Sequence, residues 1–296
     1  MAATGDIVAP PRRAGWRATW SRLPVSFRIG AAILVVQVLV AATGPLWIPY
    51  APSQLGTGKP LSPASWAHPF GVDQLGRDVF SRAIYGAHID ILLSLSGALL
   101  GVVIGAIAGL MSGYLRGPLD NILQRLNETL ISIPFLVLAL IAIAAAGPRW
   151  AGSPLLVVLV VAFVYAPRVA RMARSVAIDI SLRDYVTVAR LRGESAWSVM
   201  RHELLPNASG VLLVELALRA GYAPILIGSL GFLGFGMRPP TPEWGLLMSE
   251  NRNLLIASPM TVLGPGLLLA LLVIGLNLFT EGLARILGRT VRIDAA

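Results

Sequence analysis

ILLSLSGALLGVVIGAIAGLMSG, residues 91–113, contains no charged side chain and carries glycine at 97, 101, 105, 109 and 113. Coiled into an α-helix, such a run is about 35 Å long, enough to cross the hydrocarbon of a bilayer. It is continuous rather than alternating, which argues against a membrane β-barrel. Lipid gives helices no hydrophobic drive to associate, so small residues that let backbones touch hold them together. Gly97, Gly101, Gly105, Gly109 and Gly113 therefore predict a tight seam against another helix, in this chain or in a partner. A row spaced by four drifts about 40° per step on a 3.6-residue helix, so its two ends need not meet the same neighbour.

The rest of the chain reads alike. It has 296 residues, 55% of them hydrophobic and 13% charged, with a mean hydropathy of +0.72. The expected fold class is all-α, a polytopic membrane protein of six transmembrane helices near 29–48, 91–113, 129–146, 151–167, 208–231 and 261–284. Arg12, Arg13, Arg17, Arg22 and Arg28 precede the first span; Arg116, Arg125, seven arginines between Arg168 and Arg201, and Arg285, Arg289 and Arg292 share its side. Lys59, Arg77, Arg82, Arg149, Arg238 and Arg252 fall on the other, so seventeen basic residues face six. Basic residues near span ends are retained in the cytoplasm. Both termini are thus expected there. The organisation is then a cytoplasmic tail at 1–28, a first span at 29–48, an external loop at 49–90, a core at 91–285 and a cytoplasmic tail at 286–296.

Basic residues at span ends suit anionic lipid headgroups, so nucleic acid is not an expected partner. With no cysteine, thiolate metal sites and cysteine nucleophiles are excluded. His68, His88 and His202 form no ligand-spaced pair and read as ordinary polar surface positions; no metal site and no catalytic residue is expected. In the external loop, GVDQLGRDVFSRAIYGAHID at 71–90 puts Val72, Leu75, Val79 and Ala83 near one helical face. This pattern predicts an interfacial helix, with Arg82 four residues after Asp78. Pro134, Pro167 and Pro224 permit kinks in the spans. Only the fifth span carries an acid with a base, Glu215 and Arg219, which read as a local salt bridge facing a cavity or partner. Ion-coupled carriers usually need more, although a secondary transporter acting alone remains the rival class. The lysine in GTGKP lacks the phosphate-loop pattern, so any ATP hydrolysis must occur on another polypeptide.

One polar interval departs from the hydrocarbon: DYVTVARLRGESAWSVMRHELLPN, residues 184–207. Ser181-x-x-Asp184 reads as a capping box, Gly193 as a helix stop, and 195–204 as a second helix that ends where Leu205 and Pro206 open the fifth span. Val188, Ala189, Leu191, Trp197 and Met200 are expected to give an apolar surface ringed by arginines, suited to a protein cleft, the alternative being an amphipathic hairpin resting on the membrane.

This interval resembles the cytoplasmic coupling loop of permease subunits in ABC importers, whose pattern is Glu-Ala-Ala, three residues, Gly, nine residues, Ile-x-Leu-Pro. Gly193, Leu205 and Pro206 match; Thr187, Val188 and Ala189 stand in the place of Glu-Ala-Ala, and Glu203 in that of the isoleucine. FGVDQLGRDVFSRAIYGA at 70–87 and SLGFLGFGMRPPTPEWGLLMSENRN at 229–253 are similar to the dipeptide and oligopeptide branch, from which His88 and Ile227 depart. The resemblance implies a type I importer permease with a coupling loop at 182–206. It further implies a homologous second permease, ABC ATPase subunits that bind ATP and Mg, an extracytoplasmic substrate-binding protein, and no cofactor in this chain. Peptides are the implied cargo, with nickel chelates as the alternative.

Overall fold

A computed structural model describes residues 23–293, with side chains to residue 286. Tail residues 1–22, with Arg12, Arg13, Arg17 and Arg22, lie outside the described residues, as do residues 294–296 and the side chains of Arg289 and Arg292. The elements are α1 (Val25–Trp47), α2 (Val79–Leu115), α3 (Pro118–Ser132), α4 (Phe135–Ala146), α5 (Pro154–Ser181), α6 (Asp184–Leu191), α7 (Ala196–Val199), a π-helical turn (Met200–Leu204), α8 (Leu205–Phe232), α9 (Trp244–Asn251), a 3₁₀ turn (Arg252–Leu254) and α10 (Met260–Ile293). Among the described residues, five helical stretches are long and apolar enough to cross a membrane, and six if a bent pair counts as one span.

The first span packs against the last. A Cβ at Gly30 would fall on the α10 backbone at Gly275 and Phe279, and one at Gly282 on Phe27. Phe27 and Phe279 close this contact with ring centroids 4.8 Å apart.

The interfacial helix expected before the second span is not a separate element. Residues 71–78 form a closed loop, in which Gly71 and Gly76 adopt positive φ and Val72 bridges Asp78. Asp78 then caps α2 directly, accepting from the Ser81 amide at 2.7 Å. The supposed common face splits accordingly: Val72, Val79 and Ala83 are buried while Leu75 is exposed. The resulting α2 has 37 residues, about 55 Å at 1.5 Å per residue, well beyond the hydrocarbon thickness.

The continuous third span expected at 129–146 is also corrected. Helices α3 and α4 meet at 105°. Pro134 offers no amide, and Ile133 before it is pushed to an extended conformation, ψ 131°, as residues preceding proline are. Pro167 has no such effect: α5 runs from Pro154 to Ser181 with this proline inside it.

Core packing concentrates on α2, α5 and α8. Leu93, Leu138, Val157, Val161, Leu226 and Leu230 fill one cluster in mid-bundle. Ala106, Leu110, Ala173, Ala177, Leu204 and Ala208 belong to a second, at the arginine-rich end.

Candidate functional site: a helical elbow and the spans it grips

Residues 184–206 form an elbow. Helix α6 stops at Gly193, whose φ is +78°. The Glu194 amide bonds the Ala189 carbonyl at 3.2 Å and the Gly193 amide bonds that of Arg190 at 3.0 Å, the two hydrogen bonds of a Schellman stop. Ser195 caps the return arm, accepting from the Ser198 amide at 3.2 Å. Two expectations need correction. No capping box forms at Ser181, because its hydroxyl donates back to the Ile178 carbonyl and Arg183 occupies the N-cap of α6. Nor does the second arm end at Leu205: helix continues from Ala196 to Phe232 through the π-helical turn at Met200–Leu204, and Pro206 follows that turn with no amide to give the ladder.

The elbow has two faces. Thr187, Val188, Leu191, Trp197, Leu205 and Pro206 are exposed, Leu191 at 82% and Trp197 at 63%. Ala189 and Met200, expected on that outer surface, are instead buried with Val186, Val199 and Leu204 against Ala106 and Leu110 of α2 and Ala173 and Ala177 of α5. At helical spacing Val186 and Ala189 lie three apart and turn inward together, leaving Tyr185, Val188 and Leu191 outside. Arg190 lies over the Tyr114 ring, 4.6 Å from its centroid, and so fastens α6 to the end of α2.

A second clamp holds α3. Arg174 of α5 donates through Nε and Nη2 to the two Asp120 carboxylate oxygens, each at 2.7 Å, and Ser112 donates to the same carboxylate. The Arg174 hydrogen bonds hold the Asp120 carboxyl down at about 2, with Ser112 helping and burial opposing. A folded-state pKa below the ordinary carboxylate value stabilises above that value and is lost as pH falls through the folded one. Asp120→Asn should therefore lower the thermal midpoint in detergent near neutral pH, by the equivalent of about 1–3 kcal/mol. The gap from wild type should close as pH falls from about 4 towards 2. Equal midpoints at neutral pH would show that the pair does not brace α3.

All five glycines of the 97–113 row lie against α5. A Cβ at Gly97 would meet Val161; at Gly101, Ala162; at Gly105, Ala166 and Val169; at Gly109, Ala170 and Ala173; at Gly113, Arg174 backbone and Ala177. The row thus keeps one neighbour throughout, within this chain. Ala162, Ala166 and Ala170 on α5 repeat at the same spacing of four, so both rows drift together and the helices wrap around each other.

Further along α8, Glu215 accepts from Arg219 Nε at 2.7 Å, and the Arg219 guanidinium lies 5.7 Å from the Tyr165 ring centroid. Beyond them opens an apolar cleft of about 610 Å³ between α8 and α10, lined by Ile225, Ser229, Phe232, Leu269 and Val273 among others. Arg219, Tyr222, Ile225, Ser229 and Phe232 recur at intervals of three and four and so share one side of α8.

The opposite end holds a network that the helical reading of 71–90 concealed. Asp73 accepts from Arg77 at 2.6 Å and Arg82 at 2.9 Å, and Glu250 of α9 reaches the same arginines at 3.1 and 2.9 Å. The expected Asp78–Arg82 pair does not form, because Asp78 is engaged by His68 at 2.8 Å. His68 is accordingly buried, not a surface position. Buried Asp90 accepts from the Trp244 amide at 3.1 Å, tying α2 to the start of α9. The sequence signal for this network was the density of Asp and Arg in VDQLGRDVFSR, where charges at spacings of four and five suit a tight loop as well as a helix.

Comparison with known proteins agrees with this architecture. Residues 101–293 match the family model described as binding-protein-dependent transport system inner membrane component. The dipeptide transport system permease protein DppC of Escherichia coli strain K12 is 38% identical over 258 residues, 85% of each chain. DppC of Haemophilus influenzae is 33% identical over 261 residues, 86% of this chain and 87% of that one. Among solved structures, an inward-facing MetNI methionine ABC transporter chain superposes with a TM-score of 0.57 at 18% identity, over 70% of this chain and 97% of that one.

Proposed function

The chain belongs to the family of binding-protein-dependent transport system inner membrane components, and from that premise we propose that it is one permease subunit of an ATP-driven peptide importer. It forms half of a translocation pathway with a homologous second permease. The exposed face of the elbow docks in an ATPase subunit, and a substrate-binding protein delivers peptide from outside. The elbow carries this reading: Val188, Leu191 and Trp197 are exposed on it, Trp197 beside Ile107 and Leu110 of α2, while Val186, Ala189, Val199 and Leu204 pack onto α2, α5 and α8. A push on the exposed face reaches three spans at once, which is what switching the open side of the pathway requires. The dipeptide relatives support peptide as the cargo.

Complex purified with its partners should take up dipeptide into proteoliposomes with ATP and binding protein. Uptake driven by an ion gradient, without ATP or partners, would replace this reading with a secondary transporter. Orientation is tested separately, motivated by the arginine asymmetry. Cysteines placed at Thr4 and Ala295 should be shielded from an impermeant thiol reagent in intact cells, and one at Ser53 should react. Labelling of Thr4 from outside would reverse the topology.

A further inference from the structure

Where α8 and α5 face each other there is a second cavity of about 380 Å³, lined by Phe135, Tyr165, Arg168, Arg219, Tyr222 and Ile225. Its volume falls in the range of small-ligand sites. Two guanidinium groups face it, and their surroundings differ. Arg219 is neutralised by Glu215. Arg168 donates to the carbonyl of Val164 at 3.0 Å, and among the described residues it has no acid within ion-pair distance. Arg168 stands midway along α5, one residue past the apolar run expected to cross the membrane. A guanidinium that faces a cavity with no acid to pair it is left for an anion or water to serve. Ile225 lines both this cavity and the 610 Å³ apolar cleft, so a site with one surplus positive charge adjoins an apolar trough.

We propose that Arg168, flanked by the Arg219–Glu215 pair, is a waypoint for the terminal carboxylate of a peptide in transit, with the peptide's apolar side chains lying along the Ile225–Phe232 side of α8. This rests on the peptide-permease reading and adds to it the group recognised. Arg168 supplies the counter-charge. The Arg219–Glu215 pair presents both signs, as a zwitterionic end group does. Tyr222 lines the same cavity and is the polar handle beside it. Holding the carboxylate by one partly wetted guanidinium gives contact weak enough to release, as a pathway demands.

The test uses the whole complex in proteoliposomes with ATP, comparing a radiolabelled dipeptide with its C-terminal amide, each at concentrations that saturate the binding protein. Arg168→Gln should slow uptake of the free acid about tenfold, the scale of one charge-assisted hydrogen bond, and leave the amide within twofold. Arg168→Lys should recover most of the loss. A photo-reactive benzoylphenylalanine at Ile225 should cross-link the free acid during turnover, and Arg168→Gln should abolish that product. Equal slowing of both peptides, or no cross-link while uptake proceeds, would overturn the proposal. An effect that vanishes in liposomes of phosphatidylcholine alone would also overturn it, assigning Arg168 to an anionic lipid phosphate. If wild-type complex moves neither peptide with ATP, it is the functional reading that fails, since the Arg168 comparison presupposes uptake.

Discussion

Gly193→Val should leave the chain inserted at normal abundance and paired with its second permease, while binding-protein-stimulated ATP hydrolysis falls to the unstimulated level. Gly193 has φ of +78° with open space where a Cβ would project, so the substitution meets no clash. Its cost is conformational: a left-handed residue costs an L-amino acid roughly 1–2 kcal/mol, more when branched at Cβ. Without that conformation the Glu194-to-Ala189 and Gly193-to-Arg190 bonds cannot both form, and α6 no longer lies beside α7. The inner face, with Ala189 and Leu204 fully buried, retains its contacts to the spans arm by arm, but the exposed face is split. Asn tolerates the left-handed region, so Gly193→Asn should keep most of the coupling. Trp197→Ala is the complementary change, which removes the largest ring of that face without touching the turn. Truncating a buried interface tryptophan often costs about 2 kcal/mol or more, some thirtyfold in ATPase affinity. Normal stimulation in both Gly193→Val and Trp197→Ala would remove the elbow as the coupling element and leave it an amphipathic hairpin at the membrane surface.

Much of this architecture was legible because lipid imposes simple rules. Span positions follow from hydrocarbon runs, and the elbow's glycine stop from a polar interval with one glycine at the right spacing. What the sequence hid were choices between two local solutions of similar cost. Ser181 had a capping site within reach at α6 and an Ile178 carbonyl behind it, and the latter won. Residues 71–78 carry a helical period, yet glycines at 71 and 76 with positive φ and a cap at Asp78 favour a loop that buries its charges on α9. Partners far along the chain decided those charges: Glu250 lies 173 residues from Arg77, a pairing no local pattern encodes. The Ala162–Ala166–Ala170 row was equally visible in sequence, but only its register against Gly101–Gly109 makes it a seam.

That register sets the second large effect. Gly105→Leu should abolish assembly of a stable complex and transport with it. A Cβ at Gly105 would lie 2.6 Å from the Ala166 carbonyl oxygen and 2.6 Å from Val169 Cβ, and a leucine adds three more carbons into backbone that has no room to recede. Overpacking a soluble core costs typically 1–3 kcal/mol because side chains can rearrange; here the obstacle is a main-chain carbonyl, so the helices must part. Once parted they have no hydrophobic drive to close again, because lipid tails are as apolar as the side chains and only the lost backbone contact held them. The damage should spread to the elbow, because Ala106 and Leu110 on the same turns of α2 form the floor beneath Ala189 and Leu204. Gly210→Leu supplies the control within the same bundle, as nothing lies within 4 Å of its Cβ position, and it should assemble normally. Gly105→Ala should fall between them, with reduced yield from detergent and a lowered thermal midpoint. Full assembly and uptake by Gly105→Leu would mean that α2 and α5 do not depend on backbone contact, and the wrapping of the two rows would then be incidental to holding the spans that the elbow moves.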